Sequence, residues 1–290
     1  MKNNQYIPAE KRGYSIDNIF ISTKWLDKNI NDPNIRIVDT DISEKYQNSH
    51  IPRSVNVVDN YYKTSADDRT HIQDPEKFSE TMGNLGINNN SLVIAYDRSA
   101  GLYSLRLLWA LNYYGHSNAK ILDGGYQKWF YEGKKTTKTL PKFPFSKFNI
   151  HMNKDSIAKK DEVINALDDS QMQILDVRSD DEWNGINKRG GPRGGHIPGA
   201  IHIEWTNFHT KGEIPALKTA NEIRDILSKT SFSKNKKTIT YCQGGIRAAH
   251  TFWILKLIGL DHVKNYDGSW REWGNDFSCP IHLICVGRIV

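Results

Sequence analysis

TITYCQGGIRAAHTFWI, residues 238–254, reads as a short buried strand (238–241), a tight glycine-bearing loop (242–247) and an amphipathic helix starting near Arg247. Gly244 and Gly245 let the backbone curl without Cβ clashes, so successive N–H groups can point inward as a nest. The helix adds its own unpaired N–H groups and the positive end of its dipole at the same place. Cys242 opens the loop, a setting that favours thiolate over thiol. The expectation is a nucleophilic sulfur in an anion cradle made by Gln243, Gly244, Gly245, Ile246 and Arg247. An inert core thiol is the commoner fate of a free cysteine. That alternative explains neither the glycines nor the strand-to-helix junction.

Outward from this stretch, the chain repeats itself. LVIAYDRSAGLYSLRLLWALNYYG (92–115) corresponds to KTITYCQGGIRAAHTFWILKLIG (237–259), and KILDGGYQKW (120–129) to KNYDGSWREW (264–273). Upstream, IRIVDT (35–40) and SHIPRSVNV (49–57) match MQILDVRS (172–179) and GHIPGAIHI (195–203). Four matched segments in one order mean two homologous domains. Each alternates short β-rich runs with helical patterns, the signature of a mostly parallel α/β sheet flanked by helices.

In the second copy we expect helices at 161–167, 220–228 and 248–257, and strands at 173–177 and 238–241. Ala249, Phe252, Trp253 and Lys256 recur at helical spacing. Ile254, Leu257 and Ile258 widen the apolar side, so that helix is largely buried. Residues 133–149 are polar, carry two prolines and lack periodicity, which reads as a linker. The division is thus residues 1–132, a linker at 133–150, and residues 151–290. Ligands of an open parallel sheet bind at the carboxyl ends of its strands, so Asp176 and Cys242 should share one face.

At 290 residues, with 38% hydrophobic and 11% aromatic content, the chain suits two globular domains. Three cysteines (Cys242, Cys279, Cys285) give an odd count without framework spacing. That argues for a reducing compartment, and neither zinc spacing nor a disulfide pattern is present. Cys279 and Cys285 read as ordinary tail residues. The first residues lack a signal-peptide core, and the most apolar run, 252–260, contains Lys256, so the expectation is a cytoplasmic protein without a membrane span. The net charge of +6 is scattered among nearly as many acids. It forms no nucleic-acid stripe but suits a small anionic partner.

The YCQGGIRAAH loop, the DVR…GHIPGA segment and the YDGSWREWG close strongly resemble tandem-domain rhodaneses, the thiosulfate and 3-mercaptopyruvate sulfurtransferases, over nearly the whole chain. The resemblance implies two rhodanese-like domains and a cofactor-free, two-step sulfur transfer. Cys242 would take the outer sulfur of a small anionic donor as a persulfide, then pass it to cyanide, a thiol or a protein acceptor. Asp97 stands at the equivalent position of the first domain, and a carboxylate cannot store sulfane sulfur. That domain is therefore expected to be catalytically silent.

Arg247 is the expected partner of the donor's sulfonate or carboxylate, since a guanidinium pairs bidentately with either. Arg189 and Arg193, in NKRGGPRGG, are further candidates. Asp176 and Arg178 read as a structural ion pair, and His50 and His196 as turn residues. Asp267, Gly268 and Trp270 are expected to close the fold near the loop. Mercaptopyruvate enzymes usually carry a hydroxyl two residues after the cysteine, supported by a first-domain His; here that position is Gly244, and His71 has no serine to orient. Thiosulfate is the preferred donor. The alternatives are 3-mercaptopyruvate, or a carrier charged by a protein. Cysteine phosphatases place five residues between their cysteine and arginine; four intervene here, which makes a smaller cradle.

Overall fold

The structure, a computed structural model, describes residues 6–57 and 70–283. Its first half runs β1 (Phe20–Ile21), α1 (Thr23–Asn29), β2 (Ile35–Asp39), α2 (Ser43–Asn48), β3 (Val55–Asn56), α3 (Pro75–Asn84), β4 (Leu92–Tyr96), α4 (Leu102–Tyr113), β5 (Ala119–Leu122) and α5 (Gly125–Tyr131). The second half repeats the order with β6 (Ile157–Ala158), α6 (Lys160–Ala166), β7 (Met172–Asp176), α7 (Asp180–Trp183), β8 (Ile201–His202), α8 (Ala220–Ser228), β9 (Lys237–Tyr241), α9 (Ile246–Leu257), β10 (Val263–Tyr266) and α10 (Ser269–Trp273). Each half holds a five-stranded parallel sheet, ordered β1-β5-β4-β2-β3 and β6-β10-β9-β7-β8. The expected pair of α/β domains is what forms.

Strands covered on both faces lose the in–out alternation, which is why β4 and β9 are buried along nearly their whole length. Helix starts follow local chemistry. At α8, Thr219 and Glu222 form a capping box, and the helix matches the expected 220–228 residue for residue. The other expected elements of this half shift by one or two residues. In register, Asp176 of β7 sits beside Tyr241 of β9. The tips of both strands therefore open on the same edge of the sheet.

Residues 133–150 form no helix or strand, yet they run as a packed strap along the first half. Thr137 bridges His50, Phe143 lies 4.2 Å beneath the Arg36 guanidinium, and Phe148 is buried against Phe78. A polar composition concealed three anchoring contacts. At the other end, His282 pairs antiparallel with His196, so the tail adds one bridge to the fold. Residues 284–290, Cys285 among them, lie outside the described residues. No helix among the described residues is long and apolar enough to cross a membrane.

The two halves meet through α4 and α9, which pack against each other and share one apolar cluster. Each is buried nearly all round because it lies between its own sheet and the other domain. A buried charge pair sits in this interface. Arg106 of α4 is fully buried, donates to the Gly245 carbonyl at 3.2 Å and lies 2.7 Å from Asp267. Its N–H vectors are not aligned on that carboxylate oxygen, so the contact is a charge pair more than a hydrogen bond. Removing one member of such a pair strands the other in a dry interior. Arg106→Ala is expected to lower the unfolding free energy by about 3–5 kcal/mol. Urea denaturation measures this, and a loss below about 1 kcal/mol would mean the pair is solvated.

Candidate active site

Cys242 follows the last residue of β9 and is 1% exposed. Gly245 caps α9 with φ +77°, so this glycine is the one that lets the loop turn. A Cβ there would lie 2.7 Å from Asp267 Oδ1 and 3.0 Å from Arg106 Nη1. Gly244 is less constrained: its Cβ would meet only the Arg271 guanidinium, 3.6 Å away. Of the two loop glycines, sterics demand Gly245.

The turn after β10 fixes the loop from the opposite side. Ser269 Oγ accepts the N–H groups of Cys242 and Gly245, both at 3.1 Å, and donates to the Tyr266 carbonyl. Ser269 itself adopts φ +52°, an uncommon conformation for a residue with a side chain. Next along α10, the N–H groups of Trp270 and Arg271 donate to the carbonyls of Cys242 and Gln243, each at 2.9 Å. The first turn of α9 is left with N–H groups that have no intrahelical acceptor. Gln243 Oε1 is buried without a hydrogen-bond partner among the described residues.

The first half shows what such a turn holds. Asp97, at the tip of β4, accepts the backbone N–H groups of Ser99, Gly101, Tyr103 and Ser104 at 2.8–3.0 Å, together with the Ser104 hydroxyl. Its carboxylate fills the cradle with an anion covalently attached to the chain. Four residues separate Asp97 from α4, against three between Cys242 and α9, so the two loops differ by one residue.

The arginines divide three ways. Arg247, expected to meet the donor's anionic end, has an anion of the protein beside it: Nη1 and Nη2 pair bidentately with Glu182 at 2.6 and 2.8 Å. Glu182 is buried, and it also closes the capping box of α7 with Ser179. Burial alone would push the Glu182 carboxyl up; its bonds to Arg247 and Ser179 outweigh this and hold it at about 2. Arg247 is held charged against its own burial by Glu182 and by the nearby Cys242. Arg189 is exposed and stands 3.9 Å from Glu182, a second cation on the same carboxylate. Arg193 is engaged by the chain itself: its guanidinium binds the carbonyls of Trp273, Gly274, Asp276 and Cys279, which ties the tail to the glycine-rich loop and uses four of its five N–H donors.

The other residues singled out in the sequence have partners within the chain. Arg178 and Asp176 form a buried ion pair at 2.6 Å. The rings of His50 and His196 bond backbone carbonyls. From the first half, the Ile72 N–H donates to Asp267, and His71 lies 3.7 Å from Glu272. Both cysteines among the described residues are free thiols, and no group of three metal-ligating side chains occurs there. Sequence reasoning missed Ser269, Glu182 and Arg106. The signals were present: DGS replaces DGG of the first copy, and Ser179-x-x-Glu182 is a capping box pattern.

A family model described as rhodanese-like domain matches residues 22–132 and 159–276. The chain is 33% identical over 285 residues to the sulfur carrier protein TtuD of Thermus thermophilus, covering 93% of this chain and 98% of that protein. It is 32% identical over 281 residues to the thiosulfate sulfurtransferase of Corynebacterium glutamicum, covering 90% and 89%. Among solved structures, the 3-mercaptopyruvate sulfotransferase SseA of Escherichia coli superposes with a TM-score of 0.78 at 30% identity, covering 87% of this chain and 98% of that one.

The depressed Glu182 carboxyl makes a test of the local electrostatics. A carboxylate titrating near 2 when folded, against about 4.3 when unfolded, stabilises the fold fully above that unfolded value. That contribution is lost as pH falls from about 4.3 through 2. In urea titrations from pH 6 to 2, Glu182→Gln is expected to be less stable than the parent at neutral pH and to lose less on acidification. Parallel curves for the two proteins would contradict the ion pair.

Proposed function

This chain belongs to the rhodanese-like domain family, a family of sulfurtransferases, in two tandem copies, and on that premise we propose that it transfers sulfane sulfur from thiosulfate through a persulfide on Cys242. The observation that carries the reading is the placement of Cys242: a buried free thiol at the strand tip three residues ahead of α9, where the matching turn of the other half wraps a carboxylate. A cradle that holds one anion suits another.

In the first step the Cys242 thiolate attacks the outer sulfur of thiosulfate. The sulfur–sulfur bond of the donor breaks, sulfite leaves with the electron pair, and Cys242 carries a persulfide anion. In the second step cyanide or a thiolate attacks the terminal sulfur, and the Cys242 thiolate returns. The protein's part is electrostatic: N–H groups fixed by the loop and by α9 stabilise negative charge on sulfur through both steps. Arg247 and Arg189, sharing Glu182, supply one net positive charge beside the cysteine loop. The first domain is silent, since Asp97 occupies its own cradle, and the free thiol needs a reducing compartment, which fits the cytoplasm.

Gly244, without a hydroxyl, favours thiosulfate over 3-mercaptopyruvate as donor. A second reading, delivery of the sulfur to a protein acceptor, draws support from the 33% identity to a sulfur carrier protein. Turnover with small molecules separates the two. Cys242→Ser is expected to abolish thiocyanate formation from thiosulfate and cyanide, while the parent shows ping-pong kinetics. Residual turnover in the purified variant above about 1% of the parent would remove Cys242 from the mechanism.

A further inference from the structure

The backbone N–H groups of Gln243, Gly244 and Ile246 meet no acceptor among the described residues. Each belongs to a peptide unit whose carbonyl is held. The Trp270 N–H binds the Cys242 carbonyl and the Arg271 N–H binds the Gln243 carbonyl, both at 2.9 Å. The Gly245 carbonyl accepts the Ala249 N–H at 3.0 Å, the Asn265 side-chain amide at 3.4 Å and, from the first domain, Arg106 Nη1 at 3.2 Å. A trans peptide is planar, and its N–H points opposite to its C=O. Holding these carbonyls from outside therefore aims the N–H groups of Gln243, Gly244 and Ile246 away from the clamps.

On the reading of Cys242 given above, we propose that Arg106 is a positioning residue for sulfur transfer: from the first domain it fixes the Gly245–Ile246 peptide and strengthens the Ile246 N–H as a donor to negative charge on the Cys242 sulfur. Arg106 is fully buried on the carbonyl side of the loop, so its role is not to meet the donor. A charged donor on a carbonyl polarises the peptide, and the N–H at the other end binds an anion more strongly. Asp267, 2.7 Å from Nη2, compensates the buried charge and holds the guanidinium at that carbonyl. Asn265 and Ala249 share the same oxygen but carry no charge. The first domain, which has no thiol in its own turn, thereby acts on the chemistry of the second. The effect falls on the rate at which Cys242 takes sulfur and not on donor affinity.

The test follows persulfide formation on Cys242 by quenched-flow intact-mass measurement across thiosulfate concentrations, in the parent, Arg106→Met and Arg106→Lys, each first confirmed folded by circular dichroism. Misplacing a cradle donor is expected to slow the maximal rate about tenfold or more in Arg106→Met, with the half-saturating thiosulfate concentration changed less than about threefold. Arg106→Lys keeps a cation and should recover part of the rate. Should Arg106→Met fail to fold, the double variant Arg106→Met/Asp267→Asn leaves no charge stranded and carries the same expectation. A folded Met variant, single or double, that forms persulfide at the parent's maximal rate would overturn the positioning role. So would a loss confined to the half-saturating concentration, or a Lys variant no faster than Met. No persulfide on the parent would overturn the reading of Cys242, and this one with it, a result distinct from a failure confined to Arg106.

Discussion

A helix N-terminus aimed at the tip of the central strand is the constraint on which both halves of this molecule depend. Such a terminus presents N–H groups that its own helix cannot satisfy, and it asks for an anion. The first half answers with Asp97, whose carboxylate takes four backbone N–H groups and a hydroxyl. The second half answers with a thiol. On the proposed function, replacing a permanent carboxylate by a sulfur that gains and loses an atom would turn a structural cap into a reactive position, and one fold, written twice, would supply both a silent and a reactive version of the same turn.

The first half takes part in the architecture of the second. Arg106 reaches across from α4 to the Gly245 carbonyl and to Asp267, and Ile72 donates to the same carboxylate. Asp267 in turn crowds Gly245 closely enough that no side chain fits there. Ser269, two residues on, holds the amides of Cys242 and Gly245. The cysteine loop is thus gripped by its own domain through Ser269, Trp270 and Arg271, and by the other domain through Arg106. Neither domain alone supplies all the contacts that hold the loop.

Much of this was legible in the sequence, for identifiable reasons. The repeat, the strand-loop-helix unit around Cys242 and the helix at Ala220–Ser228 all rest on local signals: apolar runs, a glycine at a turn, a Thr-x-x-Glu cap. What escaped depends on partners distant in the chain. Arg247 and Arg193 both read as cations awaiting an anion. Only the fold brings Glu182 to the first and turns the second onto carbonyls 80 and more residues away. The strap at residues 133–150 escaped because three anchors in a polar stretch, Phe148 the buried one, have no period. Cys242 could be singled out because backbone geometry, a local property, defines its setting.

The account stands on the claim that Cys242 carries sulfur. Intact-protein mass spectrometry after brief exposure to thiosulfate tests it directly. The predicted result is a gain of one sulfur atom, mapped to Cys242 and removed by cyanide. No gain, or a gain mapped to Cys279 or Cys285 instead, would contradict it.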